Sequence, residues 1–304
     1  MGVIMFLLRS FTEGISNVWA NRFLIGLMYL FKLGSSLVLL FPLYVMFSAS
    51  FGRNVKASNL LSGFDLSLVI DFVYCWRKTL PIYLATLVLV CVIVVLAFIF
   101  LSGGFWGILR DGAKKREESP VMERFFGYCG KYFWGMFKIA ILLSVFYFFA
   151  FFIFLFCSVI LDAVAGKVSL WELTSARMLG QFLIGLLLFF FVNMVGDYLR
   201  ISLIENPAKR FFRIVGRAIK FVLTNATRTL SLYYSLSLVS AAAIFIYLEL
   251  TEAMSAMPPT GILILITFLI QQGLVIFSSF YRLVYYSSQL VLFDSLSRAE
   301  AYAT

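Results

Sequence analysis

The sequence predicts an all-α polytopic membrane protein with six transmembrane helices, and three observations support that fold class. Hydrophobic residues make up 62% of the 304 residues and charged residues only 13%, about half the charged share of a soluble domain. The mean hydropathy is +0.98. Six apolar stretches each reach the length of about 20 residues that a helix needs to cross a bilayer. A soluble fold could not cover this much apolar surface with polar groups.

The six predicted spans lie between groups of charged residues. Their limits are 23–52, 79–109, 139–161, 178–196, 229–248 and 261–281. The sixth begins near Gly261 because Pro258 and Pro259 precede it, and proline disrupts helix interiors. Ahead of the first span, apolar residues recur at helical spacing through residues 1–21. This segment predicts an amphipathic helix on the membrane surface rather than a signal peptide, because no Lys or Arg precedes its apolar stretch.

The distribution of Lys and Arg predicts the orientation of the spans. The two terminal segments and the second and fourth loops carry 17 of these residues, whereas the first, third and fifth loops carry six. Because Lys and Arg accumulate on the cytoplasmic side of a membrane, both termini are predicted to be cytoplasmic. All five Trp fall near predicted span ends, which is typical of an aromatic belt.

The net charge of +10 and the absence of histidine limit the classes of function. Without histidine the commonest general base and the histidine metal ligands are missing, and no two of the four Cys are close in sequence. The sequence therefore predicts no enzyme, no cofactor and no metal site. The basic residues flank the spans without a recognition module around them, so the charge favours anionic phospholipids over nucleic acid as the partner.

A repeat relates the middle of the chain to its C-terminal part. Arg124, Gly127 and Lys131 recur 89 residues later as Arg213, Gly216 and Lys220. A further copy relates residues 14–21 to residues 218–225 at a spacing of 204. The predicted unit is an interfacial helix followed by a hairpin of two spans, with limits 1–111, 119–205 and 206–296 inside one membrane domain. The alternative is that any basic amphipathic helix before a span looks similar.

The interfacial helices of the two later units are predicted from a start signal and a periodic pattern. Ser119-Pro120 and Asn206-Pro207 each offer a capping residue followed by Pro at the first helical position. The basic residues Arg210, Arg213, Arg217 and Lys220 step by three or four, so they share one helix face. Together with Arg124 and Lys131, they form the candidate surface for anionic lipid or a partner.

Polar residues within the spans are the second candidate site. Gln271 and Gln272 lie ten and eleven positions after Gly261, about 15 Å deep. They either line a cavity or form hydrogen bonds between helices, and the second interpretation is favoured. Asn193, Asp197 and Arg200 lie at the end of the fourth span, where Asp197 and Arg200 are spaced for a structural ion pair on one face.

Several segments resemble a known group of proteins. They are Gly63-Phe64-Asp65, Gly103-Gly104, residues 124–133 and residues 217–230. With these segments most of the chain resembles uncharacterised bacterial six-span membrane proteins and, more distantly, the membrane domain attached to some glycerophosphodiester phosphodiesterases. The resemblance implies a bacterial cytoplasmic-membrane location. It implies no catalytic residue, because the soluble phosphodiesterase domain has no counterpart in this sequence.

These features predict a non-catalytic integral membrane protein, which serves as a scaffold, an accessory subunit or a lipid-handling component of a membrane complex. Its expected partners are the bilayer, anionic phospholipids and other membrane subunits. The alternative is a small transporter or channel. That alternative requires the polar residues of the fourth and sixth spans to face one path.

Overall fold

The computed structural model describes residues 2–51, 66, 70, 73–74, 76–112, 120–165, 171–257 and 260–303. Within them the chain forms eight helices: α1 Gly2–Ala20, α2 Phe23–Phe51, α3 Leu80–Gly112, α4 Val121–Ala165, α5 Trp171–Glu205, α6 Phe211–Thr224, α7 Ala226–Ser255 and α8 Gly261–Ala303. Six of them are long and apolar enough to cross a membrane, namely all except α1 and α6. The described residues contain no β-strand, which confirms the predicted fold class.

The helix limits match the predicted spans at some ends and differ at others. Helix α8 begins at Gly261 as predicted, whereas Pro258 and Pro259 lie outside the described residues. Helices α4 and α8 have 45 and 43 residues, so each extends well beyond its span at one end. No helix-breaking residue separates the apolar span from the amphipathic segment in either case. The interfacial segment of the middle unit is therefore the first part of α4, not a separate helix.

The predicted start of α6 at Asn206-Pro207 is wrong. Pro207 lies in a turn, and α6 begins at Phe211 with Arg210 as its N-cap residue. In the other copy α4 begins at Val121, directly after Pro120, whereas Ser119 lies outside the described residues. A capping side chain followed by Pro is typical of a helix start, but the same two residues are also common in turns.

The chain divides into two compact units. The larger comprises Met1–Ile25 and Ile99–Thr304, and the smaller comprises Gly26–Phe98. The smaller unit contains most of α2 and the first part of α3, with the rings of Phe31 and Phe98 6.1 Å apart. The Gly63-Phe64-Asp65 segment of this unit lies outside the described residues.

The larger unit has its hydrophobic core at one end of its spans. We call this the basic end, because Arg110, Arg200 and Arg282 lie there on α3, α5 and α8. Buried side chains concentrate in the last turns of these three helices, in the first turns of α4 and α7, and in α1 and α6. Away from this end, the spans expose most of their apolar side chains. Lipid solvates such side chains as well as protein does, so a membrane span need not be buried in the protein along its whole length.

Arg110 joins three helices at the basic end. Its guanidinium forms ion pairs with the carboxylates of Glu205 and Asp294, which lie near the ends of α5 and α8. The Arg110 side chain is only 11% exposed. The two carboxylates compensate the positive charge of Arg110 in this part of the core. The planar guanidinium has enough donors to bind both carboxylates at once.

Helix α8 continues beyond the predicted span end at residue 281, and we call this part the extension of α8. Helix α1 packs mainly against this extension, through small residues. Ser10, Gly14 and Val18 are buried, and Gly14 lies directly against Ser288. Asn17 donates hydrogen bonds of 3.0 Å to the Leu109 carbonyl and to the Ser287 hydroxyl. The helix is thus present as predicted, and among its side chains from Leu7 onwards the buried ones are the small Ser10, Gly14 and Val18 rather than the largest apolar residues.

Glycines permit the close crossing of α3 and α4. A Cβ atom at Gly104 would lie 2.6 Å from the Cys129 sulfur and from the Phe125 ring, and one at Gly103 would lie 3.1 Å from the Tyr128 carbonyl oxygen. Phe125 is fully buried and packs edge-on against Phe105 at 5.3 Å. The crossing therefore has no room for a larger side chain.

Replacing Arg110 by Met is expected to destabilise the basic end by about 2–4 kcal/mol, because two carboxylates lose their shared counter-charge. This loss of stability is at the lower end of what is usual for breaking a buried ion pair, because the Glu205 side chain is 31% exposed. The measurement is the apparent melting temperature of the full chain in one detergent. Arg9→Met is the matched control, because the Arg9–Glu13 pair is exposed and local. Equal melting temperatures for the two variants would contradict the role of Arg110.

Gly104→Ala is expected to lower stability by about 1–3 kcal/mol, since the added methyl group overpacks a rigid contact. Gly127→Ala on α4 serves as the control, because no atom lies within 4 Å of a Cβ there. The control should be neutral or slightly stabilising, as alanine favours a helix by about 1 kcal/mol over glycine. A melting temperature unchanged by Gly104→Ala would show that the crossing relaxes freely.

Candidate functional site

Asp197 and Arg200 form the ion pair that their spacing predicts. The Arg200 Nη1 atom lies 2.6 Å from Oδ1 of Asp197, and the Gln289 amide donates to Oδ2 at 3.3 Å. Asp197 is 3% exposed and Gln289 1%. The carboxylate is thus compensated by one cation and one amide, an arrangement that joins α5 to the extension of α8.

The other predicted intramembrane residues do not join this pair. Asn193 is half-buried and donates at 3.0 Å to the Phe189 carbonyl of its own helix. Gln271 is exposed and Gln272 half-buried on α8. Gln272 lies 17 residues before Gln289, which is about 25 Å along the helix. The two glutamines therefore lie in the middle of the sixth span, about 25 Å along α8 from the Gln289 that contacts Asp197, and do not share a cavity with Asp197.

Tyrosine side chains tie α7 to α8 beside the ion pair. The Tyr281 hydroxyl donates to the Leu236 carbonyl at 2.7 Å, and the Tyr285 hydroxyl donates to the Tyr233 carbonyl at 3.1 Å. The Tyr285 hydroxyl also lies 3.2 Å from that of Ser237. These phenols give the two helices a fixed register where their apolar parts begin to be exposed.

The basic residues predicted on α6 share an exposed face. Arg210, Arg213, Arg217 and Lys220 are all exposed, and none forms an ion pair with the described residues. The opposite side of the helix is in the core, where Ile214, Ala218, Phe221 and Val222 are buried. Phe221 contacts Tyr198 and Phe293 with ring centroids 5.3 and 4.6 Å away, which fixes α6 against α5 and α8.

Helix α6 also exposes a third face that is apolar. Phe212 is 85% exposed and Leu223 64%, and their spacing of 11 residues places them on one face, three turns apart. A helix with a core face, a basic face and an exposed apolar face is suited to the boundary between headgroups and acyl chains.

Both exposed apolar positions recur on α1, and one of them recurs on the first part of α4, where Glu123 stands at the position of Phe212. Leu8 and Trp19 precede Phe212 and Leu223 by 204 residues and are 59% and 66% exposed. Trp134 precedes Leu223 by 89 residues and is exposed as well. An arginine accompanies each stripe at the corresponding position, at Arg9, Arg124 and Arg213. The predicted repeat did not include this arginine on α1, because the aligned residues began at Gly14.

The remaining predicted basic residues have closer protein contacts. Lys131 is exposed, and its amine lies 5.3 Å from the centre of the Tyr132 ring and 5.9 Å from that of Tyr128. Arg124 is half-buried, and its Nε atom is buried without a hydrogen bond to the described residues. On α1 a hydrogen bond from Arg9 to Glu13 raises the pKa of Arg9 above its ordinary value, so this arginine stays charged at any physiological pH.

Sequence reasoning missed Arg110, Gln289, Arg282 and Tyr286. Three of them lie on the extension of α8, beyond the predicted end of the sixth span at residue 281. The polar run Ser287-Ser288-Gln289 inside an apolar pattern was the available signal, since buried polar side chains in such a run need partners. The described residues contain no cluster of His, Cys, Asp or Glu that could hold a metal ion.

Fold and site together define a multi-pass helical membrane protein with a packed basic end. Comparison of the chain with protein-family models, with curated proteins and with solved structures finds no match.

Asp197→Asn is expected to lower the stability of the full chain by about 1–2 kcal/mol, because Arg200 loses the charge that compensates it inside the core. The measurement is the apparent melting temperature in detergent. Asn193→Ala, one turn earlier on the same helix, removes only a hydrogen bond within α5 and should leave the temperature almost unchanged. A larger loss for Asn193→Ala than for Asp197→Asn would contradict the structural role of the pair.

Proposed function

We propose that this chain is a non-catalytic integral membrane protein, a scaffold, accessory or lipid-handling component of a membrane complex that binds anionic phospholipid through its basic end. The observation that carries the proposal is the three-faced helix α6. Its core face is fixed by the protein, and two further faces, one basic and one apolar, stay exposed beside each other.

A lipid surface satisfies both exposed faces at once. Each Lys or Arg beside an anionic membrane contributes about 1 kcal/mol of binding free energy. The acyl region covers Phe212 and Leu223, whose exposure to water would cost free energy in proportion to their apolar area. A protein partner would need to match a basic and an apolar stripe together, whereas a bilayer presents that combination everywhere along its surface.

The recurrence of this pattern supports three repeated units with the limits 1–111, 119–205 and 206–296. In each unit an amphipathic helical segment that carries an arginine and an exposed apolar side chain precedes two spans. Asn21 follows α1 and Asn225 follows α6 at the spacing of 204 residues. Each side-chain amide donates to the carbonyl four residues earlier, at 2.9 and 3.4 Å. Three such segments would give the protein several points of contact with one leaflet.

The leaflet in this proposal is the cytoplasmic one of a bacterial inner membrane, with both termini on that side. The support is the excess of Lys and Arg, 17 against six, in the segments of the basic end and the termini. The exposed apolar side chains at the other end of the spans are available to lipid or to other membrane subunits. A transport path has less support, because Gln272 and Gln289 are about 25 Å apart along α8.

The experiment compares two double variants of the full chain in nanodiscs. Arg213→Gln with Arg217→Gln removes two charges from the basic face of α6, whereas Arg77→Gln with Lys78→Gln removes two exposed charges of the smaller unit. Native mass spectrometry measures phosphatidylglycerol retained relative to phosphatidylcholine. The α6 variant is expected to lose this preference by about thirtyfold, because each of the two removed charges contributes about 1 kcal/mol.

Salt provides the second measurement. The preference of the unaltered chain should fall as ionic strength rises, because exposed charges are screened. The Arg77 and Lys78 variant should keep both the preference and its salt dependence. Equal retention by both double variants would overturn the proposed lipid surface, and co-purification of a stoichiometric protein subunit lost only in the α6 variant would reassign that surface to a protein partner.

A further inference from the structure

One side chain of the α8 extension remains accessible where its neighbours are enclosed. From Ser279 to Leu290 every residue is buried except the half-buried Phe280 and the exposed Arg282. The protein thus encloses most side chains of α8 at this level, and we call the exposed position at Arg282 the opening at the basic end. On α6, by contrast, the basic residues form a whole exposed face rather than a single exposed position.

The donors of Arg282 are only partly used. Its Nε atom donates to the Tyr286 hydroxyl at 2.9 Å, and the guanidinium carbon lies 5.2 Å from the centre of the Tyr286 ring. Tyr286 is held by stacking on Trp106 at 4.4 Å. Neither terminal nitrogen of Arg282 has a hydrogen bond or an ion pair among the described residues. The outer fork of a guanidinium, oriented by a fixed phenol, matches two oxygens of a phosphate or carboxylate.

The charge balance around Arg282 favours an anion. Asp197 lies within electrostatic range of Arg282, but its two oxygens are engaged by Arg200 and Gln289. From α4 the phenol of Tyr147 lies within range of both arginines and of Asp197. From α7 the phenol of Tyr233 lies within range of Arg282. One acid and two arginines leave an excess of one positive charge, and the phenols are neutral donors.

The depth of Arg282 identifies the class of anion. It lies 21 residues after Gly261, which is about 32 Å along α8 and so close to the full thickness of the hydrocarbon layer, about 30 Å. The groups at that level of a bilayer are the phosphates of one leaflet. The apolar side chains of α8 are exposed in the adjoining part of the span, where acyl chains would lie.

We propose that Arg282, oriented by Tyr286, binds the phosphate group of a phospholipid that enters the opening at the basic end with its acyl chains along the exposed part of α8. This site goes beyond the surface on α6. It lies on another helix, uses one guanidinium rather than a field of charges, and requires a phosphate group rather than a net anionic membrane.

The experiment measures lipid binding to the delipidated full chain in detergent by native mass spectrometry. Phosphatidylglycerol and diacylglycerol are the two probes, since they share acyl chains and differ in the phosphate headgroup. The unaltered chain should bind phosphatidylglycerol and not diacylglycerol. Arg282→Gln should weaken phosphatidylglycerol binding by about tenfold to a hundredfold, as expected for the loss of a charged bidentate hydrogen bond. Arg298→Gln, an exposed arginine later on α8, is the matched control and should bind as the unaltered chain does.

Two further measurements keep the proposal open to refutation. Arg282→Lys retains the charge but not the fork, so it should recover part of the binding. A gel-filtration profile and melting temperature equal to those of the unaltered chain would show that Arg282→Gln is folded. If that variant misfolds, the comparison of Arg282→Lys with the Arg298→Gln control carries the test.

Inorganic phosphate distinguishes the sources of the phosphate group. If it fails to compete with phosphatidylglycerol, the acyl chains contribute and the lipid assignment is supported. If inorganic phosphate binds in an Arg282-dependent way while phosphatidylglycerol does not bind, the lipid assignment is overturned. Equal phosphatidylglycerol binding by the Arg282→Gln and Arg298→Gln variants would overturn the site itself.

Discussion

The ion pairs of Arg110 with Glu205 and Asp294 are the constraint on which the basic end depends. They join the ends of α3, α5 and α8, three helices from different parts of the sequence, through one guanidinium. Within a bilayer the apolar faces of spans have no preference for each other over lipid, so helix positions are set by polar contacts and close packing. The Asp197–Arg200–Gln289 contacts repeat the connection between α5 and α8 nearer to the apolar part of the spans.

This constraint explains why the core lies at one end of the larger unit. The polar contacts hold the helix ends together, and large side chains such as Trp106, Phe125 and Tyr198 then fill the space between them. Glycines allow the closest approaches, at Gly104 between α3 and α4 and at Gly14 between α1 and α8. Farther along the spans, the described residues show fewer polar contacts between helices, and the apolar side chains remain exposed. A rigid end and a lipid-exposed end follow from the same distribution of polar groups.

The sequence predicted the features that depend on local pattern. Six spans, the start of α8 at Gly261 and the core face of α6 all follow from hydrophobic periodicity over one or two dozen residues. The pair of Asp197 with Arg200 was predictable because the two residues are three apart on one helix. The partners of Arg110 were not, because they lie 95 and 184 positions away and no local pattern encodes such a distance. The extension of α8 was not predicted, because the apolar span continues as one helix into a segment that is buried in the protein core. The sequence has no proline at the boundary between the two parts.

The contrast between Arg200 and Arg282 shows how one carboxylate sets the chemistry of the basic end. The two arginines lie within electrostatic range of the same acid, Asp197, yet only Arg200 forms an ion pair with it, at 2.6 Å. Gln289 donates to the other carboxylate oxygen, so each oxygen of Asp197 has a partner other than Arg282. Asp197 is thereby compensated without a contact to Arg282, whose terminal nitrogens have no hydrogen bond or ion pair among the described residues. One acid near two arginines thus leaves one guanidinium fork available for the phosphate that we propose it binds.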